Sequence, residues 1–341
     1  MLFRRSPRHT INLALQGGGA HGAFTWGVLD ALLEDGRVHF EGISGTSAGA
    51  MNAVVLAHGL RLGGRDGARE ALARFWHAVG ASAAADMPFG NGDPAGAGLS
   101  AGIKLMLKWA QNFSPEQLNP LNVDPLREIL TSQVDFEALR ADCPVKLFVA
   151  ATNANTGRLR LFSAHEISAA AVSASACLPL MQRAIEIDGH PYWDGAYSAN
   201  PAVFPLFYDC AANDILLVLL NPLLHGNTPR GSDEIQARTL DLAFNSTFLR
   251  EMRMFAHARE FSATAPLPRG RLERRLLNTH FHLIEAEELL SQLAAETRLI
   301  PNQAFLDMLR EQGRTRTTAW LDAHHAALGR RSSVDIGKLF Y

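Results

Sequence analysis

A serine flanked by small residues is the first place in this sequence where chemistry is expected. The pattern Gly-x-Ser-x-Gly is matched by Gly45, Thr46, Ser47, Ala48 and Gly49. In this pattern the serine lies on a sharp turn between a strand and a helix, which exposes its hydroxyl for nucleophilic attack. The N-terminus of the helix that follows would stabilise negative charge developing nearby. The pattern predicts a nucleophile at Ser47, and a glycine-rich packing turn is the alternative.

A glycine-rich loop earlier in the chain could bind an anion. Between a predicted strand and a predicted helix lie Gly17, Gly18, Gly19, Ala20, His21 and Gly22. Their backbone N–H groups could stabilise the oxyanion of a tetrahedral intermediate. Alternatively, the loop is a Gly-x-Gly-x-x-Gly fingerprint for a dinucleotide, which requires an acidic residue about 20 residues later, at the end of a second strand. Asp35 and Glu41 are near that distance, but Asp35 falls at a helix end and Glu41 just before the serine turn. The serine turn, only about 25 residues after the loop, favours the oxyanion hole.

A carboxylate is one candidate for the base that removes the serine proton. Asp194 follows a strand-like segment and begins an Asp-Gly-Ala motif, with Gly195 and Ala196, that leads to Asn200-Pro201. Taken alone, an aspartate at a strand end followed by glycine is usually a structural turn. It could serve as the base directly if burial raises its proton affinity.

A histidine is the other candidate, in a triad with Asp194 in the order Ser, Asp, His. The available residues are His225, His257, His280 and His282. None of them lies in a recognisable catalytic loop. A nucleophile at residue 47 is also earlier in the chain than the α/β-hydrolase fold normally places it.

The elements that must position these residues follow an alternating pattern. Short apolar runs alternate with helical periodicity over the first two thirds of the chain, which is typical of an α/β layered fold with a mostly parallel sheet. Strands are predicted over 11–16, 40–43, 145–152, 159–162 and 215–220, and Gly36 is predicted to cap the first helix. From Asp233 onward the pattern is helical. The segment 86–125, rich in glycine and proline around an apolar piece at 103–109, is either an irregular surface excursion or a mobile lid over a site.

Composition bounds the classes of protein to which the chain could belong. It has 341 residues, of which 47% are hydrophobic, and 32 basic against 34 acidic residues give a net charge of −2. This excludes a disordered chain and argues against a nucleic-acid partner. No apolar run approaches the roughly 20 residues that span a bilayer, and the N-terminal segment does not fit a signal peptide. Three scattered cysteines give neither a disulfide framework nor a metal cluster. We therefore expect a soluble cytoplasmic protein.

Taken together, the motifs resemble those of the patatin-like phospholipase family, whose hallmark is a Ser–Asp dyad in place of a triad. The resemblance covers about residues 11 to 220. It includes the glycine-rich loop, the serine turn and the Asp-Gly motif, together with the run Ala174–Pro179 ahead of that motif. Three motifs in the right order and at the right separations are far more specific than any one of them.

The resemblance implies a three-layer α/β/α fold with a mostly parallel central sheet and a helical C-terminal extension. It implies a catalytic core over 10–206, with the possible lid at 86–125, followed at 207–341 by a last core strand and the extension. Ser47 would be the nucleophile, Asp194 the proton acceptor, and amides around Gly18 and Gly19 the oxyanion hole. No metal or organic cofactor would be needed. The partners would be a phospholipid or other fatty-acyl ester substrate and, peripherally, a membrane.

Two residues depart from the family pattern, and two rival functions stay open. His21 stands where the family's loop usually has Arg or Lys, and Ala196 replaces a commoner second glycine. One rival is a catalytically idle lipid-binding or scaffold protein on the same fold, which the intact Ser47 and Asp194 argue against. The other is a dinucleotide-binding protein that uses the loop Gly17–Gly22.

Overall fold

A mixed β-sheet forms the centre of the computed structural model, which describes residues 9–86, 112–264, 270–290, 293, 295–299 and 301–341. Within these ranges the sheet has eight strands in the order β5-β6-β3-β2-β1-β7-β8, with β4 also paired to β3. The strands are β1 (His9–Leu15), β2 (Val38–Thr46), β3 (Lys146–Asn153), β4 (Leu159–Ser163), β5 (Ile185–Ile187), β6 (His190–Asp194), β7 (Asp214–Leu219) and β8 (His280–Glu285). The strands β3, β2, β1, β7 and β8 are parallel to one another.

Helices cover both faces of this sheet. They are α1 (Gly22–Asp35), α2 (Ala48–Asp86), α3 (Pro115–Leu118), α4 (Pro125–Gln133), α5 (Phe136–Ala141), α6 (Ala169–Ser175), α7 (Phe204–Asp209), α8 (Ser232–Thr264), α9 (Arg271–Asn278), α10 (Glu287–Leu290), α11 (Gln303–His324) and α12 (Ile336–Phe340). Short 3-10 turns follow β1 and β6, at Gly19–His21 and Gly195–Tyr197.

Strand β7 separates the two halves of the core. Its side chains alternate between the faces of the sheet, as the period of a strand requires. Leu216 and Val218 pack in the cluster that contains α1, α2 and α11. Ile215, Leu217 and Leu219 pack in the cluster that contains α7, α8, α9 and α12. The fold is therefore a three-layer α/β/α sandwich with a mostly parallel sheet, as expected.

The C-terminal region contributes a strand as well as helices. The sequence around His280 and His282 is strand-like, and the helical prediction begins at residue 283. Residues 283–285 nevertheless belong to β8, which pairs in parallel with β7. The periodicity of a short apolar run cannot distinguish a buried strand from a helix. Pairing with β7 therefore determines that this run forms a strand. The five strands predicted by range are present with small shifts at their ends, and Gly36 caps α1 with φ 77°.

Part of the predicted excursion over 86–125 lies outside the described residues. This holds for 87–111, including the apolar piece at 103–109, and the described remainder contains α3 and the start of α4. Within the described part of the chain, no helix combines the length and apolar character needed to cross a membrane.

Candidate active site

Ser47 occupies the turn between β2 and α2 in a strained backbone conformation. Its φ is 54°, in the left-handed region that a non-glycine residue enters only at an energetic cost. The turn is closely packed: a Cβ on Gly45 would lie 2.5 Å from the Gly49 carbonyl oxygen, and one on Gly49 would lie 2.2 Å from that of Leu15. The small residues on both sides of Ser47 are therefore sterically required.

The neighbouring residues of the turn are buried and tie it to the rest of the fold. The Thr46 hydroxyl donates a hydrogen bond to the Ala199 carbonyl oxygen, 2.8 Å away. Ala48 is buried, and its Cβ lies 2.6 Å from the position that a Cβ on Gly22 would take. The starts of α1 and α2 thus approach each other too closely for any side chain at Gly22.

Sheet topology brings Asp194 to the same place. Strand β4 pairs with one edge of β3. Residue Ala151 of β3 pairs with both β4 and β6, and β6 must therefore pair with the opposite edge of β3. That edge is also the one to which β2 pairs, with Thr46 opposite Ala150. Asp194 lies opposite the next residue, Ala151. The aspartate is therefore placed beside the end of β2, where Ser47 follows.

The Asp194 carboxyl is buried and lies beside the serine. It is 1% exposed and accepts a hydrogen bond from the backbone N–H of Ala196 at 2.8 Å, and the Ser47 side chain is close enough to lower its pKa. A Cβ on Gly195 would lie 2.3 Å from the Ala150 carbonyl oxygen, so the motif needs glycine there. Burial raises the pKa of Asp194 to about 7, and the lowering effects of the Ala196 N–H and the Ser47 side chain only partly offset this rise.

The glycine-rich loop lies against Ser47. A Cβ on Gly17 would lie 2.8 Å from the Ser47 Cβ. The Gly17 N–H donates to Asn200 Oδ1 at 2.8 Å, the His21 N–H to the Gly18 carbonyl oxygen at 3.2 Å, and the Gly22 N–H to carbonyls within the 3-10 turn. Of the six residues expected to form an oxyanion hole, three have amides with no acceptor among the described residues: Gly18, Gly19 and Ala20.

His21 is buried and uncharged. Burial, followed by the positive charge of Arg298, lowers its pKa to about 3. Its Nε2 is 2.8 Å from the Thr297 hydroxyl, which belongs to the C-terminal region. Hence the loop has no cationic side chain at the position where the resembled family usually has one.

The histidines of a possible triad lie elsewhere. His282 Nε2 is 2.9 Å from Asp214 Oδ1, and His280 lies opposite Asp214, at the beginning of β7. Ser47 follows the other, carboxyl end of the parallel strands. The ring of His257 makes an edge-to-face contact with that of Tyr341, and His225 is near Arg238 and Asp241. In the described part of the chain, no histidine hydrogen-bonds to Ser47 or Asp194.

Three further residues contact the site, and sequence reasoning gave none of them a role. Ser175 Oγ accepts the Ser47 N–H at 2.9 Å, and the Cys177 carbonyl oxygen accepts the Asp194 N–H at 2.8 Å. Both belong to the run Ala174–Pro179 that contributes to the resemblance, so a signal existed for them. The carbonyl oxygen of Arg298 lies 2.3 Å from where a Cβ on Gly19 would be, and no motif points to it.

Metal binding has no apparent basis in the described residues. No group of three or more His, Cys, Asp or Glu side chains among them is arranged to hold an ion.

A serine on a strand-to-helix turn beside a buried carboxyl, in a three-layer α/β/α fold, is an arrangement suited to acyl transfer. The model of the patatin-like phospholipase family matches residues 13–207, more than half of the chain. The chain therefore belongs to the patatin-like phospholipase family, a family of lipid acyl hydrolases. The match spans the glycine-rich loop, Ser47 and Asp194.

Solved structures give weaker likenesses. VipD from Legionella pneumophila is 17% identical, with a TM-score of 0.45, over 94% of this chain and 68% of VipD. The type III effector protein ExoU is 14% identical, with a TM-score of 0.27, over 91% of this chain and 54% of ExoU. At these values the likeness carries no conclusion about activity. No curated protein sequence matches the chain.

Proposed function

We propose that the protein hydrolyses fatty-acyl ester lipids, of the phospholipid or lysophospholipid class, with a Ser47–Asp194 dyad. Ser47 Oγ attacks the ester carbonyl carbon while its proton passes to Asp194. The amides of Gly18, Gly19 and Ala20 donate hydrogen bonds to the oxyanion of the tetrahedral intermediate. The intermediate then collapses to an acyl-Ser47 ester, and the alcohol leaves with the proton from Asp194.

Hydrolysis of the acyl-enzyme repeats these reaction steps with water as the nucleophile. Asp194 takes a proton from the water as it attacks the acyl carbonyl, and the same amides receive the oxyanion. Collapse of this second intermediate releases the fatty acid and returns the proton to Ser47 Oγ. Asp194 thus acts as base and then as acid in each half of the cycle.

One observation carries the proposal: a fully buried carboxyl lies beside the Ser47 side chain, and burial raises the pKa of that carboxyl to about 7. An ordinary aspartate is too weak a base to accept a seryl proton, and its proton affinity must rise before it can do so. A base is most effective when its pKa lies near the working pH. Asp194 meets that condition without a histidine.

Exposed apolar side chains on two segments that Arg183 joins support contact with a lipid surface. We call Leu118, Leu121, Val123, Leu180 and Met181 the apolar rim; Leu121 is 84% and Leu180 66% exposed. Arg183 holds the two parts of the rim together, since its guanidinium donates to the carbonyl oxygens of Asn119 and Pro120 at 3.1 and 3.2 Å. Leu180 follows Ser175, which contacts the Ser47 backbone, by five residues. We propose that the rim contacts the membrane from which the substrate is taken.

Covalent labelling tests the dyad directly. Wild type and three variants, Ser47→Ala, Asp194→Asn and Asp214→Asn, are exposed to a fluorophosphonate and measured by intact mass, alongside release of fatty acid from phospholipid and lysophospholipid vesicles. We expect one adduct and turnover in wild type, neither in Ser47→Ala, and turnover reduced by at least a thousandfold in Asp194→Asn.

Asp214→Asn is the matched control, because it removes another buried aspartate, remote from Ser47. It should keep the adduct and the activity. Full turnover in folded Asp194→Asn would contradict the dyad. Vesicle binding by folded wild type, with neither adduct nor turnover, would instead support an idle lipid-binding protein.

A further inference from the structure

A buried hydroxyl holds the backbone of Ser47. Ser175 is the last residue of α6 and is completely buried. Its Oγ accepts the N–H of Ser47 at 2.9 Å. These two residues are 128 positions apart in the chain, so only the tertiary fold brings them together.

The hydrogen bond supports a backbone conformation that is unfavourable by itself. A non-glycine residue with φ 54° persists only where its surroundings hold it. The carbonyl oxygen of Ser47 accepts the N–H groups of Ala50 and Met51, at 2.9 and 3.1 Å, as the first turn of α2 begins. Ser175 supplies the matching contact on the N–H side. The backbone of Ser47 is thus held on both sides of its Cα.

The same segment also holds the base. Two residues after Ser175, the carbonyl oxygen of Cys177 accepts the Asp194 N–H at 2.8 Å. The segment is itself fixed to α6, since the N–H groups of Ala176 and Cys177 donate to Ser173 and Ala174 at 3.1 and 3.3 Å. One short piece of chain therefore sets the positions of both backbones whose side chains meet.

We propose that Ser175 is a positioning residue for the reaction assigned above: its hydroxyl oxygen fixes the Ser47 backbone so that the Ser47 hydroxyl stays in hydrogen-bonding reach of Asp194. This inference rests on the proposed function. The contact also occupies the Ser47 N–H, and the oxyanion is therefore left to the amides of the glycine-rich loop. Ser175 touches neither the substrate nor the transferred proton.

Helix α6 supplies a matched control. Ser173 lies two residues before Ser175, is also buried, and its hydroxyl has no hydrogen-bond partner among the described residues. Ser175→Ala and Ser173→Ala are thus the same substitution in the same helix, with and without loss of a contact to Ser47. We expect Ser175→Ala to lower kcat and the rate of fluorophosphonate labelling about tenfold to a hundredfold, since a buried N–H is left without an acceptor. KM should change less than about threefold, and Ser173→Ala should stay within about twofold of wild type in both.

Hydrogen exchange gives a readout that does not depend on turnover. Amide exchange in the peptide that contains Ser47, followed by mass spectrometry, should become faster in Ser175→Ala and stay unchanged in Ser173→Ala. The pH midpoint of activity should stay as in wild type, because the partners of the Asp194 carboxyl are untouched. Equal labelling rates in Ser175→Ala and wild type would overturn the inference.

A second pair of variants covers the case in which Ser175→Ala does not fold. Ser175→Thr and Ser175→Val have almost the same shape and share any steric penalty, but only threonine keeps an acceptor oxygen. We expect labelling to be at least about tenfold faster in Ser175→Thr than in Ser175→Val, and equal rates would refute the role of the hydroxyl. Wild type that shows no labelling at Ser47 would instead refute the proposed function, so the two failures are distinguishable.

Discussion

The side-chain oxygen of Asn200 accepts the backbone N–H of Gly17 at 2.8 Å, which joins the glycine-rich loop to the segment that follows Asp194. Gln16 extends this link: its side-chain nitrogen donates to the Asn200 carbonyl oxygen at 3.2 Å and to Asn245 Oδ1 at 3.0 Å. All of these side chains are buried. The loop is therefore joined to a buried polar network, and the Gly17 N–H is already occupied by the Asn200 side chain.

Removal of the Asn200 side chain should loosen the loop. Asn200→Ala leaves the Gly17 N–H buried without an acceptor, at a cost of about 1 to 3 kcal/mol, and we expect kcat to fall about tenfold or more. Asn221→Ala is the control, since Asn221 is a buried member of the same network whose side chain donates to Asn245 and not to the loop. Steady-state kinetics compare the two. If both variants lost activity equally, the link to Gly17 would have no special role.

Activity should follow the protonation of Asp194. The carboxyl must be ionised to accept the proton of Ser47, and burial raises its pKa to about 7. We therefore expect kcat/KM to fall about tenfold per pH unit below that value and to level off above it. A pH profile of kcat/KM on a soluble ester measures this. A midpoint near 4, typical of an exposed aspartate, would contradict a buried catalytic carboxyl.

Glu251 should make the protein less stable as the pH rises. Its carboxylate accepts the N–H groups of Val203 and Phe204, and burial raises its pKa from 4.5 to about 7. The folded state thus binds a proton more tightly than the unfolded state. The stabilisation is fully present below about pH 4.5 and is lost as the pH rises through about 7, and it amounts to roughly 3 kcal/mol.

Glu251→Gln isolates this contribution, because glutamine keeps an acceptor oxygen for both N–H groups and does not titrate. The gain in free energy of unfolding from Glu251→Gln should be larger at about pH 8 than at about pH 5, by roughly 2 to 3 kcal/mol. Urea unfolding of both proteins at the two pH values measures it. A difference that does not depend on pH would count against the shifted pKa.

Gly19 should tolerate no side chain. It has φ 58°, and a Cβ would lie 2.3 Å from the Arg298 carbonyl oxygen. Gly157 has a similar φ of 68° but no atom within 4 Å of the corresponding position. Gly157→Ala therefore carries the backbone strain alone, and Gly19→Ala carries strain and a collision. We expect Gly19→Ala to lower both Tm and kcat clearly more than Gly157→Ala. Equal effects would mean that the Arg298 carbonyl oxygen can move away from the added methyl group without a cost in free energy.

The apolar rim should matter only for substrate in a membrane. Leu121→Asp combined with Leu180→Asp should lower hydrolysis of vesicle lipid about tenfold or more and leave hydrolysis of a soluble short-chain ester unchanged, because charged groups resist insertion into lipid. Leu62→Asp is the control: this leucine is also exposed, but it lies on α2 about 20 Å along the helix from Ser47. Equal losses on both substrates would argue for a structural role of the rim.

The local geometry of the site could be predicted from the sequence. Glycines in the serine turn and in the loop reflect close backbone approaches, which exclude other residues whatever the rest of the fold does. Apolar runs of strand length likewise indicated the sheet and its parallel character. The end of strand β8 was harder: the stretch around His280 and His282 is strand-like in sequence, but residues 283–285 continue a helical pattern, and pairing with β7 gives them an extended conformation.

The sequence by itself determined which residue types stand at the turns: Ser47 between glycines, Asp194 before Gly195, and the glycine-rich loop after β1. Only the tertiary structure decided that β2 and β6 share one edge of β3, that burial shifts the pKa of Asp194, and that Ser175, Asn200 and Arg298 contact the site. The physical reason is the separation along the chain over which each effect acts. Turn geometry depends on neighbours in the chain, whereas desolvation and hydrogen-bond partners more than a hundred residues apart depend on how the whole chain packs.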